Sequence, residues 1–103
     1  MKAMRLFVDD KRPVPKWGYE CARTFDQAIL LLSLIEFEHI SLDYSLGDDC
    51  KTGLDILVWM QENGVRVPEI NIHSDHVIGK EKMREFCEKV FPDTKVTRRP
   101  IIY

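Results

Sequence analysis

Met4-Arg5-Leu6-Phe7-Val8-Asp9-Asp10 is a mainly apolar run that stops at two carboxylates. The same punctuation recurs twice. Ile40-Ser41-Leu42 runs into Asp43, and Glu69-Ile70-Asn71-Ile72 runs into His73-Ser74-Asp75. Each polar cluster lies where an apparent strand hands over to a loop. In an open parallel sheet the carboxyl ends of the strands are where ligands bind. Acidic groups gathered there repel one another, and a cation, alone or with a phosphate, relieves that repulsion.

Working outward, strand one covers about Ala3–Val8. Pro13, Pro15 and Gly18 mark Lys11–Gly18 as a loop. Tyr19–Arg23 reads as a short second strand. Thr24 with Gln27 is a capping box that opens a helix through about Ile35. Phe25, Ala28, Ile29, Leu32 and Ile35 form its buried stripe. His39–Asp43 is the third strand. Leu46–Lys51 is an acidic loop. Thr52 with Asp55 opens the next helix, and Asn63-Gly64 stops it. Pro68 precedes a fourth strand, about Glu69–His73. The last helix starts at Gly79 or the residue after it. Met83, Phe86, Cys87 and Val90 make its apolar face, and Pro92 ends it. Lys95–Arg98 is the fifth strand.

Strands alternating with helices predict an α/β fold with a parallel sheet and right-handed crossovers. The strands alternate in polarity. Leu6, Val8, Leu42, Ile70 and Ile72 point one way, while Arg5, Ser41, Asn71 and His73 point the other. A parallel sheet covered on both faces has near-continuous apolar strands. Three helices cover one face, so the second is expected to be partly open to solvent or to a partner.

The 103 residues fit one domain spanning 1–103. Fifteen basic and 17 acidic side chains leave a net charge of −2. That balance argues against a general nucleic-acid or membrane-surface binder. Cys21, Cys50 and Cys87 cannot all pair internally and have no metal-ligand spacing, which predicts reduced thiols and a cytoplasmic protein. No signal peptide is evident, and no apolar run approaches the ~20 residues of a membrane span. The glycines at 47, 53 and 79 are expected to serve tight turns near strand ends. No phosphate-loop motif is present. His73-x-x-His76 without paired cysteines does not make a zinc site, and His76 is expected at the surface.

Asp9-Asp10 after the first strand, Asp43 after the third, Ser74 after the fourth and Arg99-Pro100 after the fifth resemble the receiver domain of two-component response regulators. The chain is more similar to a divergent branch, the cyclic-phosphate-processing receiver domains. The motifs that carry this likeness are Asp9-Asp10-Lys11-Arg12-Pro13, Leu42-Asp43-Tyr44-Ser45-Leu46-Gly47 with Thr52-Gly53, and Ile72-His73-Ser74 with Gly79 and Met83. The resemblance implies a five-stranded parallel sheet of order 2-1-3-4-5. The first and last helices of an ordinary receiver are missing here. Tyr44 and Ser45 stand where the divergent branch often carries His and Asp, which removes an imidazole and a carboxylate.

The resemblance further implies that Asp9, Asp10 or both hold Mg²⁺. Asp43 would ligate the metal too, or accept a phosphoryl group. The plainer alternative is that these carboxylates only terminate strands and cap loops. His73, on the same strand face as Asp9 and Asp43, is expected as an imidazolium proton donor favoured by the nearby carboxylates. Ser74 can donate to a phosphate oxygen. Arg12 and Arg99 suit bidentate phosphate contact, and either can instead pair with Asp9 or Asp10. Trp17 and Tyr19, flanking Gly18, can stack on a nucleobase or fold back onto the open sheet face.

Three functions follow as expectations. The first is a Mg²⁺-dependent phosphate-handling domain, a phosphodiesterase-like or phosphatase-like hydrolase acting on cyclic phosphate ends of RNA or a nucleotide. The second is a signalling module phosphorylated on Asp43 by a partner kinase. The third is an interaction domain with a degenerate site. It would form a homodimer through the open sheet face, with Ile101, Ile102 and Tyr103 at its margin.

Overall fold

The computed structural model describes residues 4–15, 18–47 and 50–101. Its elements are β1 (Arg5–Val8), β2 (Tyr19–Ala22), α1 (Phe25–Leu34), β3 (His39–Leu42), α2 (Gly53–Glu62), β4 (Glu69–Ile72), α3 (Val77–Val90) and β5 (Lys95–Thr97). The five strands form one parallel sheet in the order β2-β1-β3-β4-β5. This is the receiver-type α/β architecture. Among the described residues, no helix lies between β1 and β2, and none follows β5. No helix there is long and apolar enough to cross a membrane.

Side-chain alternation builds the core on one face. Leu6, Val8, Ile40, Leu42, Ile70 and Ile72 meet Ala28 and Leu32 of α1, Ile56, Leu57 and Met60 of α2, and Met83 and Cys87 of α3. Fully burying one such aliphatic side chain contributes about 1.5–3 kcal/mol. Burial also pushes the Cys87 thiol up to about 12, so it stays protonated.

The helix signals work as the sequence suggests, with two differences. Thr52 and Asp55 form a complete capping box at α2. At α1, Thr24 accepts from the Gln27 amide, but Gln27 Oε1 reaches back to the Arg23 amide instead of the cap's own. The last helix begins two residues earlier than expected. His76 is its cap, with Nδ1 accepting from the Gly79 amide at 2.8 Å. A neutral imidazole nitrogen can serve as an N-cap acceptor as a carboxylate does.

The second face, expected to be partly open, is covered over its centre and accessible at its margins. Phe7, Ser41, Asn71 and His73 are all buried. The segment after β5 folds back here, with Asn71 Oδ1 accepting from the Arg99 amide and Asn71 Nδ2 donating to the Arg99 carbonyl. Polarity alternation showed which side chains share a face but not that chain segments cover it. Arg5 and Lys95 are exposed in the far rows, and Cys21 and Thr97 at the sheet edges are half-buried. Tyr19 belongs to that region. Its hydroxyl lies 3.2 Å from His39 Nε2 and its ring packs edge-on against Phe7, so it is not a free stacking platform. Trp17, Ile102 and Tyr103 lie outside the described residues.

Candidate functional site

Parallel register aligns the residues just past the strands. Val8 pairs with Leu42, and Leu42 with Ile72, so Asp9, Asp43 and His73 follow side by side. Odd-numbered positions share the polar face, and these three side chains converge there. A ligand atom from each lies within 4.8 Å of the other two.

Asp9 is the fixed point of the cluster. Its Oδ1 accepts from the Lys11 and Arg12 amides at 2.9 and 3.0 Å, which turns the chain sharply after β1. Its Oδ2 lies 3.0 Å from His73 Nε2. Arg23, which sequence reading passed over, donates to the Asp9 and Arg12 carbonyls and clamps the same turn. Burial raises the Asp9 carboxyl, but the Arg12 and Lys11 amides and the His73 contact outweigh it, so its pKa falls below the ordinary value.

His73 does not behave as expected. Its ring stacks on Phe7 with centroids 5.0 Å apart. Burial disfavours the imidazolium more than Asp9 favours it, and the pKa drops to about 4. The neutral ring then has one donor and one acceptor. Asp9 is an anion, so Nε2 carries the hydrogen and donates to it. Nδ1 must therefore accept, and Ser41 Oγ, 2.7 Å away, donates to it. Ser41 in turn accepts from Asn71 Nδ2 at 3.3 Å. A directed chain thus runs Asn71 to Ser41 to His73 to Asp9, and Thr97 anchors its far end by donating to Asn71 Oδ1. Ser41 and Asn71 were legible only as polar positions on a supposedly open face. Their signal was a polar residue in the middle of each central strand.

Asp43 is the unsettled member. Partial burial raises its carboxyl pKa, and the Asp9 charge raises it further. Hydrogen bonds from Ser74 and from the Tyr44 amide, the latter at 2.8 Å, offset this only in part. Ser74 is nearly buried and also accepts from the His76 amide, so it ties Asp43 to the β4–α3 turn.

Two glycines on helices let this end of the sheet close up, where turns were expected. A Cβ on Gly53 would sit 2.2 Å from the Asp43 carbonyl oxygen. A Cβ on Gly79 would strike the Tyr44 ring, which stacks on His76 at 4.7 Å. Only Gly47 fits the turn reading, with φ +73 and the Asp10 carboxylate against it.

The mouth of the cluster is a cleft of about 520 Å³ lined by Asp9, Asp10, Asp43, Ser74 and His76, with Arg12 at its edge. Arg12 donates to the His73 carbonyl at 2.6 Å and to the exposed Asp75 carboxylate, and stands 3.6 Å from Asp9 Oδ2. Arg99 does not line this cleft. It borders a separate cavity of about 260 Å³ on the other side of Arg12. Arg12, Ser74 and Arg99 thus come together around that cavity, and of the three only Arg12 and Ser74 also line the acidic cleft.

Oxygen donors from Asp9, Asp10 and Asp43 around an open cleft suit a hard cation such as Mg²⁺, which keeps several waters and takes few carboxylates. The Asp43 carboxyl pKa is raised first by burial and then by the Asp9 charge, and a cation beside it would offset both. Residues 4–89 match the family model of the cyclic-phosphate processing receiver domain. No curated protein matches the chain.

Proposed function

This chain belongs to the cyclic-phosphate processing receiver family, and we propose that it uses the Asp9–Asp43 cleft to handle a phosphate ester together with Mg²⁺. The observation that supports this most is the convergence of Asp9, Asp43 and His73 within 4.8 Å, with the Asp43 carboxyl pKa raised by burial and by the Asp9 charge. Asp9, Asp10 and Asp43 would hold the metal, directly or through water. When bound, Mg²⁺ would neutralise phosphate charge and polarise the ester.

The chain's own residues divide the remaining work. Arg12 stands at the cleft edge and can turn from Asp75 toward a phosphate oxygen. Ser74 fixes the orientation of Asp43. His73 serves Asp9 as a positioning residue, because its one N–H is already directed at that carboxylate. A cyclic phosphate at the end of RNA or on a nucleotide is the proposed substrate, opened by water to a linear monophosphate.

Phosphorus NMR with Mg²⁺ and a 2′,3′-cyclic nucleotide, run beside Asp43→Asn, tests the reading. Conversion to a linear monophosphate that disappears in the variant is expected. An unchanged spectrum from folded protein would overturn the hydrolase reading. A second reading, in which Asp43 accepts a phosphoryl group, draws on its partial exposure and its Ser74 contact. Incubation with an acyl phosphate and mass analysis of the intact chain separates the two.

A further inference from the structure

The small cavity beyond Arg12 is lined by Arg12, Ser74, Lys80, Arg98 and Arg99, with Pro100 and Ile101 closing its far wall. It shares Arg12, Ser74 and Asp75 with the acidic cleft, so the two spaces adjoin. Their charge balances differ in sign. The cleft gathers Asp9, Asp10 and Asp43 with Lys11 and Arg12 beside them, while the cavity gathers four cationic side chains from three places in the chain against the single exposed carboxylate of Asp75.

Two of those cations stand out. Among the described residues, the Lys80 ammonium and the Arg99 guanidinium make no hydrogen bond or ion pair. Arg98 is held only loosely, 3.8 Å from Glu81. Arg99 is fixed by its backbone, since its amide and carbonyl both bond to Asn71. Its side chain is left uncommitted. Converging cations without partners repel one another and attract an anion. A phosphate, with three acceptor oxygens, suits a lysine point charge beside an arginine fork.

We propose that this cavity is a second phosphate subsite, so that the preferred ligand carries two phosphates, one in the acidic cleft and one between Lys80 and Arg99. The idea rests on the phosphate reading of the cleft. Arg12, on the wall between the two spaces, can contact both groups. A nucleoside carrying a cyclic phosphate and a 5′-phosphate has this chemistry. So does a strand end whose cyclic phosphate is followed by a phosphodiester.

The test is a calorimetric titration in Mg²⁺ with three probes. They are adenosine 2′,3′-cyclic phosphate, its 5′-phosphorylated form, and an adenosine dinucleotide ending in a 2′,3′-cyclic phosphate. Wild type, Lys80→Ala and Arg99→Ala are compared. The 5′-phosphate is expected to tighten binding by about tenfold or more, equal to about 1.4 kcal/mol. Each variant is expected to lose most of that gain, and Lys80→Ala to bind the singly phosphorylated probe as wild type does. A larger gain for the dinucleotide identifies a strand end as the ligand, and a larger gain for the bisphosphate a free nucleotide. If the first probe binds but neither added phosphate tightens it, the second subsite is wrong and the cleft reading stands. If no probe binds, both fail.

Discussion

His73 Nε2 lies 3.0 Å from Asp9 Oδ2, and the two side chains are 0% and 1% exposed. A buried imidazole facing a buried carboxylate usually suggests an ion pair. Here the imidazole is neutral and the carboxylate is charged. The Asp9 charge is balanced mainly by two backbone amides and by Arg12 nearby.

That assignment makes stability depend on pH. The His73 pKa falls from about 6.5 unfolded to about 4 folded. Between those values the unfolded chain binds more protons, so stability rises with pH through this window and is lost as pH falls through it. The full effect is about 3 kcal/mol at 1.36 kcal/mol per pKa unit. Asp9, whose pKa is lowered, adds a loss that begins further into acid, below its unfolded value of about 3.8. Urea midpoints measured from about pH 4 to pH 7 should climb, and should flatten in His73→Gln. A flat wild-type profile would contradict a neutral His73.

The tautomer can be read directly. Long-range proton–nitrogen NMR should find the His73 hydrogen on Nε2 and a bare, hydrogen-bonded Nδ1. Ser41→Ala removes the donor to Nδ1 and the acceptor for Asn71. Leaving buried polar groups unpaired costs about 1–3 kcal/mol. A hydrogen on Nδ1, or a Ser41→Ala variant as stable as wild type, would break the proposed chain.

Gly53 and Gly79 should respond differently to alanine. At Gly53 the new Cβ meets the Asp43 carbonyl, which is backbone and cannot swing away. Overpacking of this kind costs about 1–3 kcal/mol, and it should weaken metal binding by displacing Asp43. At Gly79 the obstacle is the Tyr44 ring, which can rotate out at the expense of its stack on His76. Gly79→Ala should therefore stay folded but change Tyr44 fluorescence. Chemical denaturation of both variants decides the matter, and equal stability for Gly53→Ala and wild type would contradict the close approach.

The sheet order and the strand-end carboxylates were legible because apolar runs stopping at Asp9, Asp43 and His73 carry a local signal. The three turns that hold these groups together carry almost none. Arg23 clamps the Asp9 turn from 14 residues away, and nothing in its neighbours announces that. His73 was misread as charged because sequence supplies its partners but not its burial under Phe7 and beside Ser41. That Arg99 joins Arg12 in the cavity beside the acidic cleft, and does not reach the cleft itself, depends on where the segment after β5 folds, which strand alternation does not encode. His76 as a helix cap was readable in principle from its three-residue spacing to Gly79, but Ser, Thr, Asp and Asn dominate that role.

Mg²⁺ held jointly by Asp9, Asp10 and Asp43 is the premise of the proposed chemistry. The most direct measurement is a Mg²⁺ titration followed by proton–nitrogen NMR, with Asp43→Asn in parallel. The variant keeps an oxygen for the Tyr44 amide and removes the repulsion with Asp9. It should therefore fold as well as wild type, or gain on the order of 1 kcal/mol without metal. Saturable shifts at the amides of residues 9, 10, 43 and 74, absent from Asp43→Asn, are the expected result. No site-specific shift at millimolar Mg²⁺, or the same response in both proteins, would rule out a Mg²⁺ site at these carboxylates.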